Sequence, residues 1–276
     1  MEHREGHIEG GGGLELYRQA WLPDSDRRAT VVIAHGAGEH STRYDGVARG
    51  LVGAGYAVHA LDHRGHGRSE GKRARIDDVD EAAADLRALI ALARGETDGT
   101  PLLLLGHSMG AMISLVYACE SQQEIDGLLL SGVTAVLDNA SPLERGLSKL
   151  LSAVAPGVGI YGVETDAVSR DPRVVLDYET DPLVHHGKLS ARTVASLTGA
   201  VESFPERVPN LTLPLLVMHG GADRIAPPEG SRLVHGWASS QDKDLRIYNG
   251  LYHEILFEPE GDRVLADVVA WLDERV

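Results

Sequence analysis

The sequence contains a single cysteine and has fewer basic than acidic residues. A lone thiol, Cys119, excludes an intramolecular disulfide and any zinc site built from cysteines. Its place in the apolar run SLVYACE indicates a buried, unreactive side chain. Lysine and arginine total 26 against 41 aspartate and glutamate, which gives a formal charge of −15. Because this charge repels phosphate and no basic stripe offsets it, we do not expect nucleic acid as a partner.

Long apolar runs are also missing from the 276 residues. No run approaches the roughly 18 consecutive apolar residues of a transmembrane span. The N-terminal stretch MEHREGHIEGGGGLELY lacks the apolar run of a signal peptide. Both absences favour a soluble protein of the cytoplasm. The apolar content of 43% is enough for one large core.

Six short apolar runs recur along the chain and end in glycine, histidine or aspartate. Their continuous apolar character is typical of strands that are covered on both faces. Helical patterns lie between them, such as residues 77–94, with acidic residues early and an arginine late, as the helix dipole favours. This alternation predicts an α/β fold with a mostly parallel, doubly wound sheet, whose ligands bind at the carboxyl ends of the strands. The runs are ATVVIAHG (29–36), AVHALDH (57–63), PLLLLGH (101–107), IDGLLLSG (125–132), LPLLVMHG (213–220) and DLRIYNG (244–250).

The alternation breaks between residues 137 and 210, where the chain becomes helical and irregular and shows no clear strand. The stretch SPLERGLSKLLSAVAP opens with a serine cap and a proline and continues as an apolar stripe. We predict that residues 137–210 form a lid inserted into a core of residues 1–136 and 211–276, although ordinary packing helices would explain the stripe equally well. The stripe consists of Leu143, Leu147, Leu150, Leu151 and Val154.

A serine between two glycines follows the most apolar of the predicted strands. The sequence GHSMG fits the G-x-S-x-G elbow, a strand-to-helix turn that leaves no room for side chains at Gly106 and Gly110. Such a turn holds the serine in a strained conformation, with its hydroxyl exposed and the N–H groups of the next helix nearby. A strained, exposed serine has no packing purpose, so Ser108 is predicted to be a nucleophile.

A serine nucleophile needs a general base, and His253 is the best candidate among the histidines that follow it. His253 lies in the loop YNGLYHEILFEP after the last predicted strand, where an imidazole can reach back over the strand ends. The others are less suitable. His185 and His186 fall in the predicted lid, His219 ends a strand with its side chain inside, and His235 lies within a helix.

The base in turn needs an acid, which in this type of fold lies between the serine and the histidine in the chain. Asp223 follows the strand LPLLVMHG, with two glycines that let the chain turn. Asp242 and Asp244 precede their strand and therefore lie at its opposite end. A turn aspartate and a loop histidine are each common alone. Together with Ser108, in the required order and at three strand ends, they predict a catalytic triad.

Two backbone N–H groups are expected to hold the oxyanion. One belongs to Met109, directly after the serine. The other belongs to Ala37 in the loop AHGAGEHSTRY, where Gly36 and Gly38 allow the backbone to turn inward. A purely structural turn would explain these glycines equally well.

Neither a metal nor a cofactor is predicted. His63 and His66 have a spacing that could suit a metal, but no third ligand of suitable spacing is evident. The glycines at 10–13 lack the preceding strand and the Lys-Ser/Thr ending of a phosphate loop, and indicate a loop or hairpin turn.

Seven stretches together resemble monoacylglycerol lipases of the α/β-hydrolase superfamily, particularly the bacterial ones. They are HGAGEHSTRY, DHRGHGRSEGKR, GHSMG, SRDP, TDPL, HGGADRI and GLYHEILFEP, and the resemblance spans about residues 14–272. It implies the α/β-hydrolase fold and the same triad and oxyanion residues. It also implies that Glu39, Arg43 and Tyr178 help to receive the glycerol head group.

The expected function is hydrolysis of a monoacylglycerol to fatty acid and glycerol through an acyl-enzyme. A lysophospholipase, thioesterase or general carboxylesterase on the same scaffold is the nearest alternative, and a non-catalytic binding module is a further one. The apolar stripe of the predicted lid is expected either to line an acyl channel or to rest on a lipid surface.

Overall fold

A mostly parallel sheet of eight strands forms the centre of the molecule, in the order β1-β2-β4-β3-β5-β6-β9-β10. The computed structural model describes residues 1–97, 99–136 and 151–276. Each of the six predicted runs contains one strand of this sheet, and these six strands pair in parallel, as predicted. The strands are β1 Glu2–Glu9, β2 Glu15–Leu22, β3 Ala29–Ala34, β4 Tyr56–Leu61, β5 Leu102–His107, β6 Gly127–Ser131, β9 Leu215–Gly220 and β10 Lys243–Tyr248.

The first two strands form an antiparallel hairpin at one edge of the sheet, and no apolar run predicted them. They pair from Glu2 with Leu22 to Glu9 with Glu15. The glycines between them form a short 3₁₀ turn over Gly11–Gly13, in agreement with the predicted hairpin turn. Strand β1 is mostly exposed and charged. Because β1 lies at the edge of the sheet and buries little surface, it needs no apolar run, and its sequence therefore did not predict a strand.

Helices cover both faces of the sheet. One apolar cluster packs α2, α3 and α5 against it, and a second cluster on the other face packs α1 and α7. Helix α2 begins after Asp78, whose carboxylate caps the first turn by accepting from the Asp80 N–H at 2.9 Å. The helices are α1 Asp45–Gly53, α2 Val79–Gly95, α3 Met109–Ser121, α4 Pro172–Thr180, α5 Ala191–Arg207, α6 Glu229–Trp237 and α7 Gly261–Asp273.

The segment between β6 and β9 departs from the prediction that it lacks strands. It contains β7 Gly159–Tyr161 and β8 Leu189–Ser190, which pair with each other and not with the main sheet. Strands this short have no periodicity to detect. Of the predicted stripe, Leu143, Leu147 and Leu150 lie outside the described residues, Leu151 is half-buried and Val154 is 70% exposed.

The described part of this inserted segment, residues 151–210, is tied to two loops at the carboxyl ends of the strands. The His185 N–H donates to the Gly38 carbonyl at 2.8 Å, and the Glu254 N–H donates to the Val168 carbonyl at 2.8 Å. The inserted segment is therefore held above the edge of the sheet where ligands of α/β folds bind.

Cys119 is less buried than expected, since it is only partly covered. Burial raises the pKa of its thiol to about 11, so the thiol stays protonated and unreactive near neutral pH. Within the described ranges, no helix is both long and apolar enough to cross a membrane.

The contact between α3 and the end of β3 predicts a large effect for Gly110→Ala. A Cβ atom at residue 110 would lie 2.1 Å from the Ala34 carbonyl oxygen and 2.4 Å from that of His35. Both obstacles are backbone, so relief requires a shift of α3 against the sheet. We expect the free energy of unfolding to fall by about 1–3 kcal/mol or more, measured by denaturant titration followed by circular dichroism.

The matched control is Gly236→Ala in α6, where no atom lies within 4 Å of the added Cβ. Alanine is the better helix former, so this change should leave stability unchanged or raise it by up to about 1 kcal/mol. Equal destabilisation by both changes would contradict the proposed crowding at residue 110.

Candidate active site

Ser108 occupies the sharp turn between β5 and α3. Its backbone has φ +53° and ψ −118°, and in the described chain the only other non-glycine residue with positive φ is Ala74. A Cβ atom at Gly106 would lie 2.6 Å from Ala111 Cα, so the turn requires glycine there, as the motif predicted. The Ser108 N–H donates to the Ser131 carbonyl on β6 at 2.8 Å. The side chain is partly exposed at the carboxyl end of the sheet.

The three residues predicted as a triad lie in one chain of hydrogen bonds. The Ser108 hydroxyl lies 2.8 Å from His253 Nε2, and His253 Nδ1 lies 2.6 Å from Asp223 Oδ2. The Asp223 side chain is fully buried, and that of His253 is 5% exposed. Three loops that are far apart in the sequence supply these side chains, so the sheet alone brings them together.

Asp223 accepts hydrogen bonds on both carboxylate oxygens. The N–H groups of Ile225 and Ala226 donate to Oδ1 at 2.8 and 2.9 Å, and His219 Nε2 lies 2.9 Å from Oδ2. Burial alone would raise the pKa of Asp223, but the hydrogen bonds from His219 and His253 hold it well below its usual range. Asp223 is therefore ionised at any working pH. Sequence reasoning placed His219 inside the protein but missed its contact with Asp223.

The pKa of His253 is shifted in the opposite direction, above its usual value. Burial would lower its pKa, but the hydrogen bond to Asp223 and the negative charges of Asp223, Glu254 and Glu39 raise it above its usual value. An imidazole of this kind is a stronger base and holds a proton more readily. Its reactivity as a base should therefore fall as the pH drops through this raised pKa.

Two neighbours fix the position of the His253 ring. The His107 ring lies against it, with centroids 4.9 Å apart. Burial lowers the pKa of His107 to about 3, so this neighbour is neutral and does not repel a protonated His253. On another side, a Cβ atom at Gly132 would lie 3.1 Å from His253 Cε1. Neither contact was visible in the sequence, because both depend on how β5 and β6 pair.

The N–H groups of Ala37 and Met109 are available beside Ser108. Met109 is the first residue of α3, so its N–H has no acceptor within the helix. The Ala37 N–H forms no hydrogen bond to any described residue. Both residues line the same cavity as Ser108. The geometry therefore suits two donors directed at a negative charge next to the serine.

Two cavities meet at Ser108, since both are lined by Ala37, Ser108, Val163 and Ile225. The larger has a volume of about 390 Å³ and is mostly apolar, with side chains from α3, α5 and the loop after β9, including Met112, Leu197, Val201 and Pro227. The smaller has a volume of about 30 Å³ and carries more polar groups, including Glu39, Tyr178, His253 and Glu254.

Glu39 is held tightly at the back of the smaller cavity. Its Oε1 accepts from the Gly36 N–H at 2.6 Å and the Tyr44 hydroxyl at 2.8 Å, and its Oε2 accepts from Arg43 Nη1 at 2.6 Å. Burial would raise the pKa of Glu39, but Arg43 and these donors lower it, so the carboxylate is charged. Glu39 therefore orders the loop that carries Ala37.

Arg43 connects this loop to the loop of His253. It donates to both carboxylate oxygens of Glu254 at 2.7 Å, and its guanidinium lies 4.9 Å from the centre of the Tyr178 ring. Arg43 does not line the smaller cavity, whereas Tyr178 does. The Tyr178 hydroxyl forms no hydrogen bond to any described residue, which leaves it free to bind a ligand. Its role and that of Glu39 and Arg43 in head-group binding stay predictions.

The histidines of the DHRGHG loop lie buried beneath the site. His35 Nε2 accepts from the His63 N–H at 2.9 Å, and the His66 Nδ1 atom lies 3.0 Å from the Arg64 carbonyl. Burial lowers the pKa of His66 to about 3. In the ranges that the structure covers, no group of three or more potential ligands is arranged to hold a metal ion.

Comparison with known proteins identifies the family of this chain. Residues 25–260 match the model of a protein family that is described as serine aminopeptidase, S33. A monoacylglycerol lipase of Mycolicibacterium smegmatis is 44% identical over 97% of this chain and 96% of its own length. The human monoglyceride lipase is 34% identical over 98% of this chain and 90% of its own.

The solved structures support the same relationship. A crystal structure of the monoacylglycerol lipase of Paleococcus ferrophilus is 33% identical and superposes with a TM-score of 0.86, covering 95% of this chain and all of that one. The chain therefore belongs to the family described as serine aminopeptidase, S33, and to the monoacylglycerol lipases of the α/β-hydrolase superfamily.

Proposed function

We propose that this protein is a carboxylic ester hydrolase that cleaves monoacylglycerol to a free fatty acid and glycerol, with Ser108, His253 and Asp223 as its catalytic triad. The observation that carries the proposal is the hydrogen-bonded chain of these three residues at the junction of a large apolar cavity and a small cavity whose lining includes Glu39, Tyr178 and Glu254. The names of the bacterial and human relatives support the choice of substrate.

Acylation begins when His253 Nε2 takes the Ser108 proton as Oγ attacks the ester carbonyl. The N–H groups of Ala37 and Met109 hold the negative charge that develops on the carbonyl oxygen. Asp223 keeps the proton on His253 Nδ1 and stabilises the imidazolium. His253 then gives its proton to the departing glycerol oxygen, which leaves an acyl group on Ser108. A water activated by His253 repeats the sequence and releases the fatty acid.

The two cavities would accept the two ends of this substrate. The acyl chain lies in the larger cavity, where each buried CH₂ contributes about 0.8 kcal/mol. A hydroxyl of the glycerol head would enter the smaller cavity, whose volume of about 30 Å³ admits only one or two hydroxyl-sized groups. A second acyl chain does not fit there, and it would leave the Tyr178 hydroxyl without a polar partner, at a cost of about 1–3 kcal/mol. This favours monoacylglycerol over diacylglycerol and triacylglycerol.

The inserted segment is proposed to act as a lid that contacts lipid surfaces. Among the described residues, six large apolar side chains are exposed, and four of them lie in this segment: Val154, Val158, Tyr161 and Leu176. Clusters of exposed apolar side chains commonly mark interaction surfaces. Substrate extracted from a lipid surface would enter beneath this segment.

Ser108→Ala removes the attacking oxygen. We expect a loss of esterase activity of several orders of magnitude, leaving a residual acceleration of about 10³-fold over water from the oxyanion donors. Circular dichroism should show an intact fold. A fluorophosphonate should label the wild type and fail to label the variant, and labelling that persisted at another serine would exclude Ser108 as the nucleophile.

Asp223→Asn keeps the shape of the side chain but removes the charge that holds the His253 tautomer. By analogy with the corresponding change in serine proteases, kcat should fall about 10⁴-fold. The control is Asp242→Asn. Asp242 forms an exposed ion pair with Arg275 at 2.5 Å and directly precedes β10, so it lies at the opposite end of the strands from Asp223. The control should retain full activity. If Asp242→Asn were the more damaging change, the assignment of the acid would be wrong.

Tyr178→Phe tests the head-group site, because it removes one free hydroxyl without disturbing the loop that Glu39 orders. We expect kcat/KM on monoacylglycerol to fall about 5–10-fold, the equivalent of one hydrogen bond. Activity on a p-nitrophenyl ester of the same acyl chain should not change, because that ester has no glycerol.

Wild type and variant would be compared on monoacyl, diacyl and triacyl glycerols and a lysophospholipid, dispersed identically in detergent. Tyr117→Phe serves as the control, since the Tyr117 hydroxyl donates to Glu124 away from both cavities. Equal wild-type rates on all four substrates would favour a general carboxylesterase. An equal loss on the p-nitrophenyl ester would assign Tyr178 a structural role.

A further inference from the structure

A second histidine, His219, contacts the same carboxylate oxygen as the proposed catalytic base. His219 Nε2 lies 2.9 Å from Asp223 Oδ2, and His253 Nδ1 lies 2.6 Å from that oxygen. On its other side, His219 Nδ1 lies 2.6 Å from the Ser231 hydroxyl of α6. Both His219 and Asp223 have fully buried side chains. The chain of hydrogen bonds thus continues beyond Asp223 by two residues.

The contacts of His219 specify which of its nitrogens carries the proton. Nε2 faces two acceptors, Asp223 Oδ2 and the Ala226 carbonyl oxygen at 3.0 Å, so Nε2 must be the donor. Nδ1 then accepts from the Ser231 hydroxyl, which can donate. Ser231 and Ala226 therefore hold His219 in the tautomer whose Nε2 donates to Asp223.

We propose that His219 is a positioning residue, which directs Asp223 Oδ2 toward His253 and limits how strongly this carboxylate attracts the proton of His253. The proposal rests on the triad of the proposed function. A carboxylate that accepts two N–H groups on one oxygen has less negative charge for either donor than one that accepts a single group. His219 would thus keep the base from being trapped in its protonated form.

The other charged and titratable groups around His253 set the background for this effect. Asp223, Glu254 and Glu39 raise its pKa. Arg43 neutralises part of the charge of Glu39 and Glu254 through its ion pairs. His107 lies against the ring and is neutral near pH 7. Apart from Asp223, none of these groups contacts His219 by a hydrogen bond, so a change at residue 219 alters the base only through Asp223.

The direction of the effect follows from the role of His253 as a base. Without the His219 donor, Asp223 binds the imidazolium more strongly, and the pKa of His253 rises further. Because only the neutral imidazole can accept the Ser108 proton, the acid limb of the rate profile moves to higher pH. A merely structural role for His219 would lower the rate or the stability and leave this midpoint in place.

His219→Phe removes both ring nitrogens and keeps the ring shape. The pH dependence of kcat/KM on a p-nitrophenyl ester should show its acid midpoint displaced upward by about half to one unit, which corresponds to a loss of about 3–10-fold at pH values below the midpoint. His219→Gln can still present an N–H to Asp223 and should restore the wild-type midpoint. An unchanged midpoint in His219→Phe would overturn the proposal.

His59→Phe is the matched control. His59 lies on β4 with a fully buried ring, and neither of its ring nitrogens has a hydrogen-bond partner among the described residues. The His59→Phe variant therefore replaces a buried histidine on a strand but removes no hydrogen bond. This variant should keep the wild-type midpoint, and a shift as large as that of His219→Phe would refute a specific role for residue 219.

Ser231→Ala gives a second route if His219→Phe does not fold. Loss of the hydroxyl leaves Nδ1 of His219 without its donor and weakens the tautomer that donates to Asp223. The midpoint should move in the same direction by a smaller amount, and a nitrogen-15 spectrum of labelled histidine should show His219 leaving its single tautomer. Retention of both the midpoint and the tautomer would contradict the proposal.

Failure of the proposed function can be distinguished from failure of this inference. The rate at which a fluorophosphonate labels Ser108 depends on His253 but on no natural substrate. If the wild type is not labelled at Ser108, the triad itself is wrong. If it is labelled and the pH midpoint of labelling is the same in wild type and His219→Phe, only the role of His219 is refuted.

Discussion

The close approach of α3 to the end of β3 is the constraint on which the rest of the site depends. Gly110 lies so near the Ala34 and His35 carbonyls that no side chain fits between them. This contact places the start of α3, with the Met109 N–H, next to the loop after β3, which carries Ala37. It also forces the turn at Ser108 into a conformation with φ +53°. The strain is held by the packing of buried elements, which cannot relax independently.

A second feature of this site is that it contains several buried charges. Two carboxylates, Glu39 and Glu254, share one guanidinium, that of Arg43, and a third carboxylate, Asp223, forms no ion pair with a lysine or arginine among the described residues. Asp223 is kept ionised by N–H donors alone. Such an arrangement costs desolvation energy that a stable core would avoid. In the proposed mechanism, its benefit would be a field that stabilises the positive charge on His253 when proton transfer creates it.

The inserted segment contacts both of the loops that lie beside Ser108. It bonds through His185 to the loop of Ala37 and through Val168 to the loop of His253. Arg43, beneath Tyr178 of the same segment, joins those two loops to each other. A movement of the segment would therefore act on the loop of Ala37 and on the loop of His253 together. Under the proposed function, a substrate head group that contacts Tyr178 would lie where these three parts meet.

The amino-acid sequence by itself determined the six central strands, the elbow at Ser108, and Asp223 and His253 as its partners. Each of these features rests on a local cause, such as a continuous apolar run, a glycine where no side chain fits, or a fixed order of residues at strand ends. Only the tertiary structure decided that His219 shares an oxygen of Asp223, that His107 and Gly132 flank His253, and that Glu39 is a structural anchor of its loop as well as a wall of the smaller cavity. Those contacts join residues from different strands and loops, and no local pattern specifies them. They exist because strand pairing brings distant loops to one edge of the sheet, where distance and burial, rather than spacing in the chain, determine which groups meet.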